Sequence, residues 1–251
     1  MIDRQRRDGV TLIRMNHEPA NVLDREFADA IADGLTQAAR DPDTRAIVLT
    51  GAGSVFSAGV DLFRVLEETD DYLTGFFRSL DRVFEAAATC PLPLVAAING
   101  HAIAGGAVLA FACDFRVMAE GPAKIGLPEL RVGVPFPGSA LGVIRRAVPP
   151  RSLREVVLRG TTFASADALE RGLVDELASP EDLLERAAAL AAELGSLSKS
   201  AFATTKALLR GATADETRPL EAEVRRIWAA EDTRDRMRHY LEETLGKRER
   251  R

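Results

Sequence analysis

The chain has 251 residues, with 33 Lys+Arg, 38 Asp+Glu, 3 His, 2 Cys and a formal net charge of −5. That length suffices for one large domain, or a domain plus an appendage, with a core that needs no disulfide or metal staple. The acidic balance speaks against a general nucleic-acid binder. Two cysteines, Cys90 and Cys113, cannot build a disulfide framework, and a cytoplasmic setting is the simplest expectation.

The start, residues 1–9, carries charge but leads into no apolar stretch, so it does not read as a secretory signal. Residues 10–16 alternate apolar and polar side chains, which predicts a strand. Residues 21–40 place Phe27, Ile31 and Leu35 at helical spacing, with Asp24 as N-cap, because its carboxylate can accept the unpaired N–H groups of the first turn. Residues 45–50 read as a buried strand that ends at the turn Gly51-Ala52-Gly53. Residues 70–88 predict a helix with Phe76, Phe77, Leu80, Val83 and Phe84 inward. A strand over 92–98, a helix over 105–112 and a strand over 114–119 follow. The Gly/Pro-rich stretch 133–138 then precedes another helix. Strands alternating with helices imply an α/β architecture.

One segment tests for a membrane span. Residues 86–113 contain no Asp, Glu, Lys or Arg, a run longer than the ~20 residues a spanning helix needs. Pro91, Pro93, Asn99-Gly100 and Gly105-Gly106 interrupt it, so it reads as strand, turn and helix inside a core, and no membrane span is expected. Beyond about residue 180 the strand signals stop. Helices are expected over 181–194, with Gly195 placed to end the first, over 199–209 and over 219–244. These expectations divide the chain into an α/β core, 1–195, and a helical region, 196–251, that packs on the core or on a neighbouring subunit. The basic end, 247–251, reads as a solvated tail.

Several kinds of chemistry lack their signature. Gly51-Ala52-Gly53 has Phe56 where a dinucleotide fingerprint needs its third glycine, and no Gly-Lys-Ser/Thr closes a phosphate loop. His17, His101 and His239 are isolated, with no metal-ligand spacing. Neither Ser57 nor Ser139 sits in Gly-x-Ser-x-Gly. No cofactor or metal is expected on these grounds.

Three features remain. Residues 55–62 (Val-Phe-Ser-Ala-Gly-Val-Asp-Leu) and 99–109 (Asn-Gly-His-Ala-Ile-Ala-Gly-Gly-Ala-Val-Leu) both follow a buried strand and turn into a helix. Each either makes a tight glycine turn and nothing more, or aims main-chain N–H groups at one point, as an oxyanion hole does. The third is Glu129 in Ile125-Gly-Leu-Pro-Glu-Leu130, a single carboxylate among apolar residues. It is either a surface residue paired with Arg131 or Lys124, or a partly desolvated base with a raised pKa.

Taken together and in this order, the segments resemble the crotonase, or enoyl-CoA hydratase/isomerase, superfamily. The resemblance is carried by Phe-Ser-Ala-Gly-Val-Asp-Leu (56–62), Asn-Gly-His-Ala-Ile-Ala-Gly-Gly (99–106), Cys-Asp-Phe-Arg-Val (113–117) and Ile-Gly-Leu-Pro-Glu (125–129). Pro-Ala-Asn-Val-Leu (19–23) and Ala-x-x-Arg-Gly-Leu-Val-Asp (168–175) extend it over nearly the whole chain, and the C-terminal helices match least. The resemblance implies a spiral of ββα units with C-terminal helices that build a homotrimer or a dimer of trimers. It also implies an acyl-CoA substrate, whose thioester enolate is held by the N–H groups of Ala58 and Gly105. Ala58, Gly59, Val60, Asp61 and Leu62 would line the thioester and CoA site with Pro128 nearby, and Ala20 and Val22 would belong to the adenine side. Coenzyme A is then part of the substrate.

One position departs from the pattern. Hydratases of the family carry two glutamates; one matches Glu129, and the other falls at Val108, one helical turn beyond Gly105. Valine can neither activate water nor move a proton. The Δ3,Δ2-enoyl-CoA isomerase branch has a single glutamate and an aliphatic residue there, and residues 56–62, 104–114 and Thr205-Lys206 look similar to it. That isomerase is therefore the expected activity, with a weak hydratase as the alternative and a non-catalytic acyl-CoA binder as the alternative of another class. Asp61 reads as a helix-start carboxylate and Asp114 as a buried, hydrogen-bonded one. Phe76, Phe77, Phe84 and Phe136 read as acyl tunnel or core, and Lys206 as a solvated helix face.

Overall fold

The computed structural model describes residues 1–211 together with Arg226, Ala230, Glu231, Thr233 and Asp235. The chain begins with β1 (Ile2–Arg7), β2 (Val10–Met15), β3 (Val22–Leu23), α1 (Arg25–Arg40), β4 (Ala46–Gly51), β5 (Val55–Ser57) and β6 (Gly59–Val60). It continues with α2 (Leu62–Glu67), α3 (Asp70–Ala88), β7 (Leu94–Ile98), β8 (His101–Ile103), α4 (Gly105–Ala112), β9 (Phe115–Ala119) and β10 (Lys124–Gly126). Then come α5 (Glu129–Val132), α6 (Gly138–Ala147), α7 (Pro150–Leu158), β11 (Thr162–Ala164), α8 (Ser165–Glu170), β12 (Glu176–Ala178), α9 (Leu183–Gly195) and α10 (Lys199–Arg210). Two compact units divide the chain, Met1–Ser196 and Leu197–Arg251. The helix expected over 219–244 lies outside the continuously described residues.

The first unit is built on a six-stranded sheet of order β1-β2-β4-β7-β9-β12, parallel throughout except for the β1–β2 hairpin. Every residue of β4 and β7 is buried, as near-continuous apolar strands must be when both faces of a parallel sheet are covered. The period of two sorts their side chains. Ile47, Leu49, Ala96 and Ile98 join the larger core with α1, α3 and α4, whereas Val48, Val95 and Ala97 meet Leu183, Ala187, Leu190 and Ala191 of α9.

The long helices follow the apolar spacing. Asp24 Oδ1 accepts the Phe27 N–H at 2.7 Å and caps α1, which buries Phe27, Ile31 and Leu35. In α3, Phe76, Leu80, Val83 and Phe84 are buried, but Phe77 is 49% exposed. Phe77 was expected inward; it lies about two turns before the buried Phe84 on the same helix face, and among the described residues that face is left uncovered at Phe77. The uncharged run resolves into β7, a turn, β8 and an entirely buried α4. Among the described residues no helix is long and apolar enough to cross a membrane.

A second sheet positions the site. Its order is β11-β10-β8-β5; β5, β8 and β10 run parallel and β11 antiparallel. A two-stranded parallel pair, β3–β6, lies beside the end of β5, with Val22 opposite Gly59 and Leu23 opposite Val60. The start of α4 rests directly on β5. A Cβ on Gly106 would lie 2.8 Å from Ser57 Cβ and closer still to the Ser57 carbonyl, so backbone meets backbone there. Substituting Gly106→Ala should therefore force β5 and α4 apart. We expect a loss of at least about 2 kcal/mol in urea unfolding, the overpacking range, and an unchanged midpoint would contradict this packing.

Candidate active site

The first motif is held by the segment that precedes α1. The Ser57 hydroxyl donates to the Asn21 carbonyl at 2.7 Å and accepts the Gly59 N–H at 3.2 Å. Asn21, at φ +53°, accepts the His17 N–H through Oδ1 at 2.8 Å and donates through Nδ2 to the Val55 carbonyl at 2.9 Å. The Asp61 N–H donates to the Leu23 carbonyl at 3.1 Å. Ala20 and Val22, expected on an adenine side, thus lie alongside Ala58–Val60. The Ala20 carbonyl accepts the Ala58 N–H at 3.0 Å, so one of the two amides read as oxyanion donors already has an acceptor.

Asp61 has the helix-start role: its Oδ1 accepts the Arg64 N–H at 3.1 Å and caps α2. Arg64 in turn reaches Asp24 Oδ2 at 3.0 Å and Glu26 at 2.7 Å, and His17 Nε2 lies 3.2 Å from the same Asp24 oxygen. This brace ties the helix after Ala58 to the start of α1. It joins residues forty positions apart in sequence, and no local pattern announced it. Leu62 is 43% exposed at the head of α2.

The second motif turns at Ala104, which adopts φ +52°, and Gly105 opens α4. The first N–H groups of a helix have no intrahelical acceptor and point out along its axis. The two motifs touch through Gly59. A Cβ on that residue would sit 2.7 Å from the Ile103 carbonyl, 2.9 Å from Ala104 Cβ and 3.2 Å from the Gly105 nitrogen. Only glycine permits that approach, and it brings Ala58–Gly59 against the start of α4. Val108, one turn on, is 1% exposed within the main core.

The third motif enters from the neighbouring strand. β10 pairs with β8 at Gly126 opposite Ile103, and the Ala104 N–H donates to the Gly126 carbonyl at 2.9 Å. Leu127 is fully buried, Pro128 follows, and Glu129 starts α5. Its Oε2 is buried and has no hydrogen-bond partner among the described residues. Burial pushes the Glu129 carboxyl up from 4.5 to about 7, against the smaller opposing pull of a hydrogen bond from its own backbone. Neither alternative partner takes it, because Arg131 Nε donates to the Arg159 carbonyl instead and Lys124 is exposed.

Ala58, Gly105 and Glu129 therefore follow the C-terminal ends of three adjacent parallel strands, β5, β8 and β10. That edge is where open α/β sheets bind ligands. At about 4.8 Å per strand spacing, three strands span a width on the order of 10 Å. A carboxyl of raised pKa has the chemistry of a proton acceptor near neutrality, and N–H groups at a helix start that of donors to a developing negative charge. Asp114 accepts the Leu94 N–H at 2.9 Å and is structural. Phe76 and Phe84 are core, and Phe136 packs against it. Lys206, expected on a solvated face, is 6% exposed within the second unit, with Nζ 5.9 Å from the Phe202 ring.

A model of the enoyl-CoA hydratase/isomerase family matches residues 5–247. A Thermus thermophilus protein described as a candidate enoyl-CoA hydratase is 39% identical over 196 residues, 76% of each chain. Human mitochondrial enoyl-CoA delta isomerase 1 is 30% identical over 208 residues, covering 82% of this chain and 69% of the human one. A solved structure of a candidate enoyl-CoA hydratase/isomerase family protein from Hyphomonas neptunium superposes with a TM-score of 0.86 at 28% identity. It covers 100% of this chain and 98% of the other.

The buried carboxylate sets a pH dependence of stability. Because the Glu129 pKa is raised from 4.5 to about 7 on folding, its contribution is fully present below 4.5 and is lost as pH rises through 7. Relative to wild type, Glu129→Gln should become more stable by about 1–3 kcal/mol between pH 5 and pH 8, as measured by denaturant unfolding. A difference that stays constant with pH would mean that Glu129 is solvated.

Proposed function

The chain belongs to the enoyl-CoA hydratase/isomerase family, and on that premise we propose that it is a Δ3,Δ2-enoyl-CoA isomerase with Glu129 as its one acid/base group. The observation that carries this reading is the unpaired, buried Glu129 oxygen at the head of the parallel strands. Its counterpart is Val108, apolar and buried where a hydratase needs a second carboxylate.

In this mechanism the Glu129 carboxylate removes a proton from C2 of a 3-enoyl-CoA. The C–H electron pair moves toward the thioester, and the dienolate places negative charge on its oxygen. The N–H groups of Ala58 and Gly105 donate to that oxygen, and the Ala58 N–H turns to it from the Ala20 carbonyl. The protonated Glu129 then returns its proton to C4, leaving the double bond between C2 and C3. Atoms balance without water, which suits a site whose Val108 face is apolar. A base of pKa about 7 is poised near neutrality, where proton transfer in both directions is efficient.

Ala58–Leu62 and Pro128 would contact the thioester and pantetheine, and Ala20 and Val22 the adenine end. Coenzyme A arrives with the substrate, so the reaction calls for no resident cofactor. A homotrimer or dimer of trimers and a cytoplasmic setting complete the proposal. Weak hydratase activity is the second reading, favoured by the name of the 39% identical relative.

Three assays test the reaction. Wild type should convert 3-enoyl-CoA to the conjugated 2-enoyl product, with kcat rising as pH passes 7 and level above it. Glu129→Gln should lower kcat about 10²–10⁴-fold, the usual worth of a general acid/base; equal conversion by both would remove Glu129 from the mechanism. Val108→Glu should raise hydration of 2-enoyl-CoA above the wild-type level. Brisk hydration by wild type itself would instead favour the hydratase reading.

A further inference from the structure

The turn that carries Glu129 has little of its own to hold it in place. No residue of α5 is buried, and Leu130, Val132 and Val134 are 43%, 51% and 42% exposed. The fully buried Leu127 anchors the chain before the turn, and Phe136 packs against the core after it. Between these anchors the hydrogen bonds close on themselves: the N–H groups of Gly133 and Val134 both donate to the Glu129 carbonyl, at 3.0 and 3.1 Å.

One side chain reaches out. Arg131 Nε donates to the Arg159 carbonyl at 3.0 Å, at the corner where α7 ends and β11 is about to begin. Among the described residues, this is the one hydrogen bond that joins residues 129–136 to another element. The Arg131 stem lies along Gly160, where a Cβ would come within 3.0 Å of Arg131 Cγ, and Gly160 adopts φ +60°. The corner is itself braced. Glu155 of α7 faces Arg159 at 3.9 Å and Arg171 at 3.5 Å, and the Arg171 guanidinium lies 4.6 Å over the Phe163 ring of β11. β11 pairs back onto β10, Thr162 opposite Gly126. Arg131 therefore closes a circuit from β10 through the turn to β11 and home.

We infer that Arg131 is a positioning residue, which holds the Glu129 turn against the α7–β11 corner and so keeps the carboxylate buried and facing the strand ends. The inference rests on Glu129 as the proposed base, and it extends that reading to a residue that never touches substrate. Methionine is the informative replacement, because it keeps an apolar stem beside Gly160 and removes the donor. Lysine places its donor farther out on a flexible chain and lacks the planar fork.

The test reads Glu129 directly. In ¹³C-labelled protein, the Glu129 carboxyl signal, identified by its loss in Glu129→Gln, is titrated in wild type and in Arg131→Met. Loss of the clamp should let water reach the carboxylate and lower its titration midpoint by at least about one pH unit. The acid limb of kcat for 3-enoyl-CoA should move down with it. kcat at pH 8 should fall about 10–100-fold, the usual cost of a misplaced reacting group, with KM changed less than about twofold. An arginine that serves only stability would lower the unfolding midpoint and leave the titration where it was, and that result overturns the inference. If wild type proves inactive toward 3-enoyl-CoA, the isomerase reading fails while the titration still decides the role of Arg131. Should Arg131→Met not fold, Arg131→Gln takes its place in the same titration, and an unchanged midpoint there is equally fatal.

Discussion

Two segments can meet backbone to backbone only when no side chain grows between them. At Gly59 and Gly106 the loop after β5 and the start of α4 approach to a distance that no side chain tolerates, and one of the atoms in the way is the Gly105 nitrogen. The parallel pairing of β5 with β8, and of β8 with β10, fixes the third loop at the same edge. The rest of the fold supports that contact. The six-stranded sheet and the helices on both its faces supply rigidity, and the hydrogen bonds of Ser57 and Asn21 set the angle at which the first loop arrives.

Against this rigid edge the structure sets one group in an unfavourable state. A carboxylate in apolar surroundings with one oxygen unpaired is costly, and Glu129 relieves the cost by holding its proton until about pH 7. Stability and the proposed chemistry pull in opposite directions here, as they commonly do at working sites. Val108 marks the other side of the same choice. A second carboxylate at that buried position would have to be neutralised or solvated, and solvation brings in the water that a hydration reaction consumes. In the proposed reaction an aliphatic side chain there keeps water away and leaves proton shuttling to Glu129.

Much of the architecture was legible in the sequence. The helices α1 and α3 showed by apolar spacing, the strands β4 and β7 and the helix α4 as apolar runs bounded by turn residues, and the Asp24 cap by its place before the first turn. The strands that build the site were not. β5, β8 and β10 are three residues long, too short to carry a period; β5 and β8 read only as parts of the glycine turns, and β10 only as apolar residues before Glu129. β1 was passed over because its side chains are mostly exposed. Its one signal was the Asp8-Gly9 pair, whose positive φ angles make the hairpin turn. The apolar setting of Glu129 was visible in its neighbours along the chain, whereas the Arg131 bond to a main-chain oxygen 28 residues away has no sequence signature at all.

The Ala58 N–H, already engaged by the Ala20 carbonyl, has a consequence for selectivity. A neutral thioester oxygen is no better an acceptor than the peptide oxygen it must replace, so in the proposed reaction substrate arrival alone gains little from that donor. An enolate oxygen carries charge and accepts far more strongly. The exchange thus becomes favourable only as electrons flow, and an internal placeholder converts an ordinary amide into one that discriminates the activated ligand from the resting one.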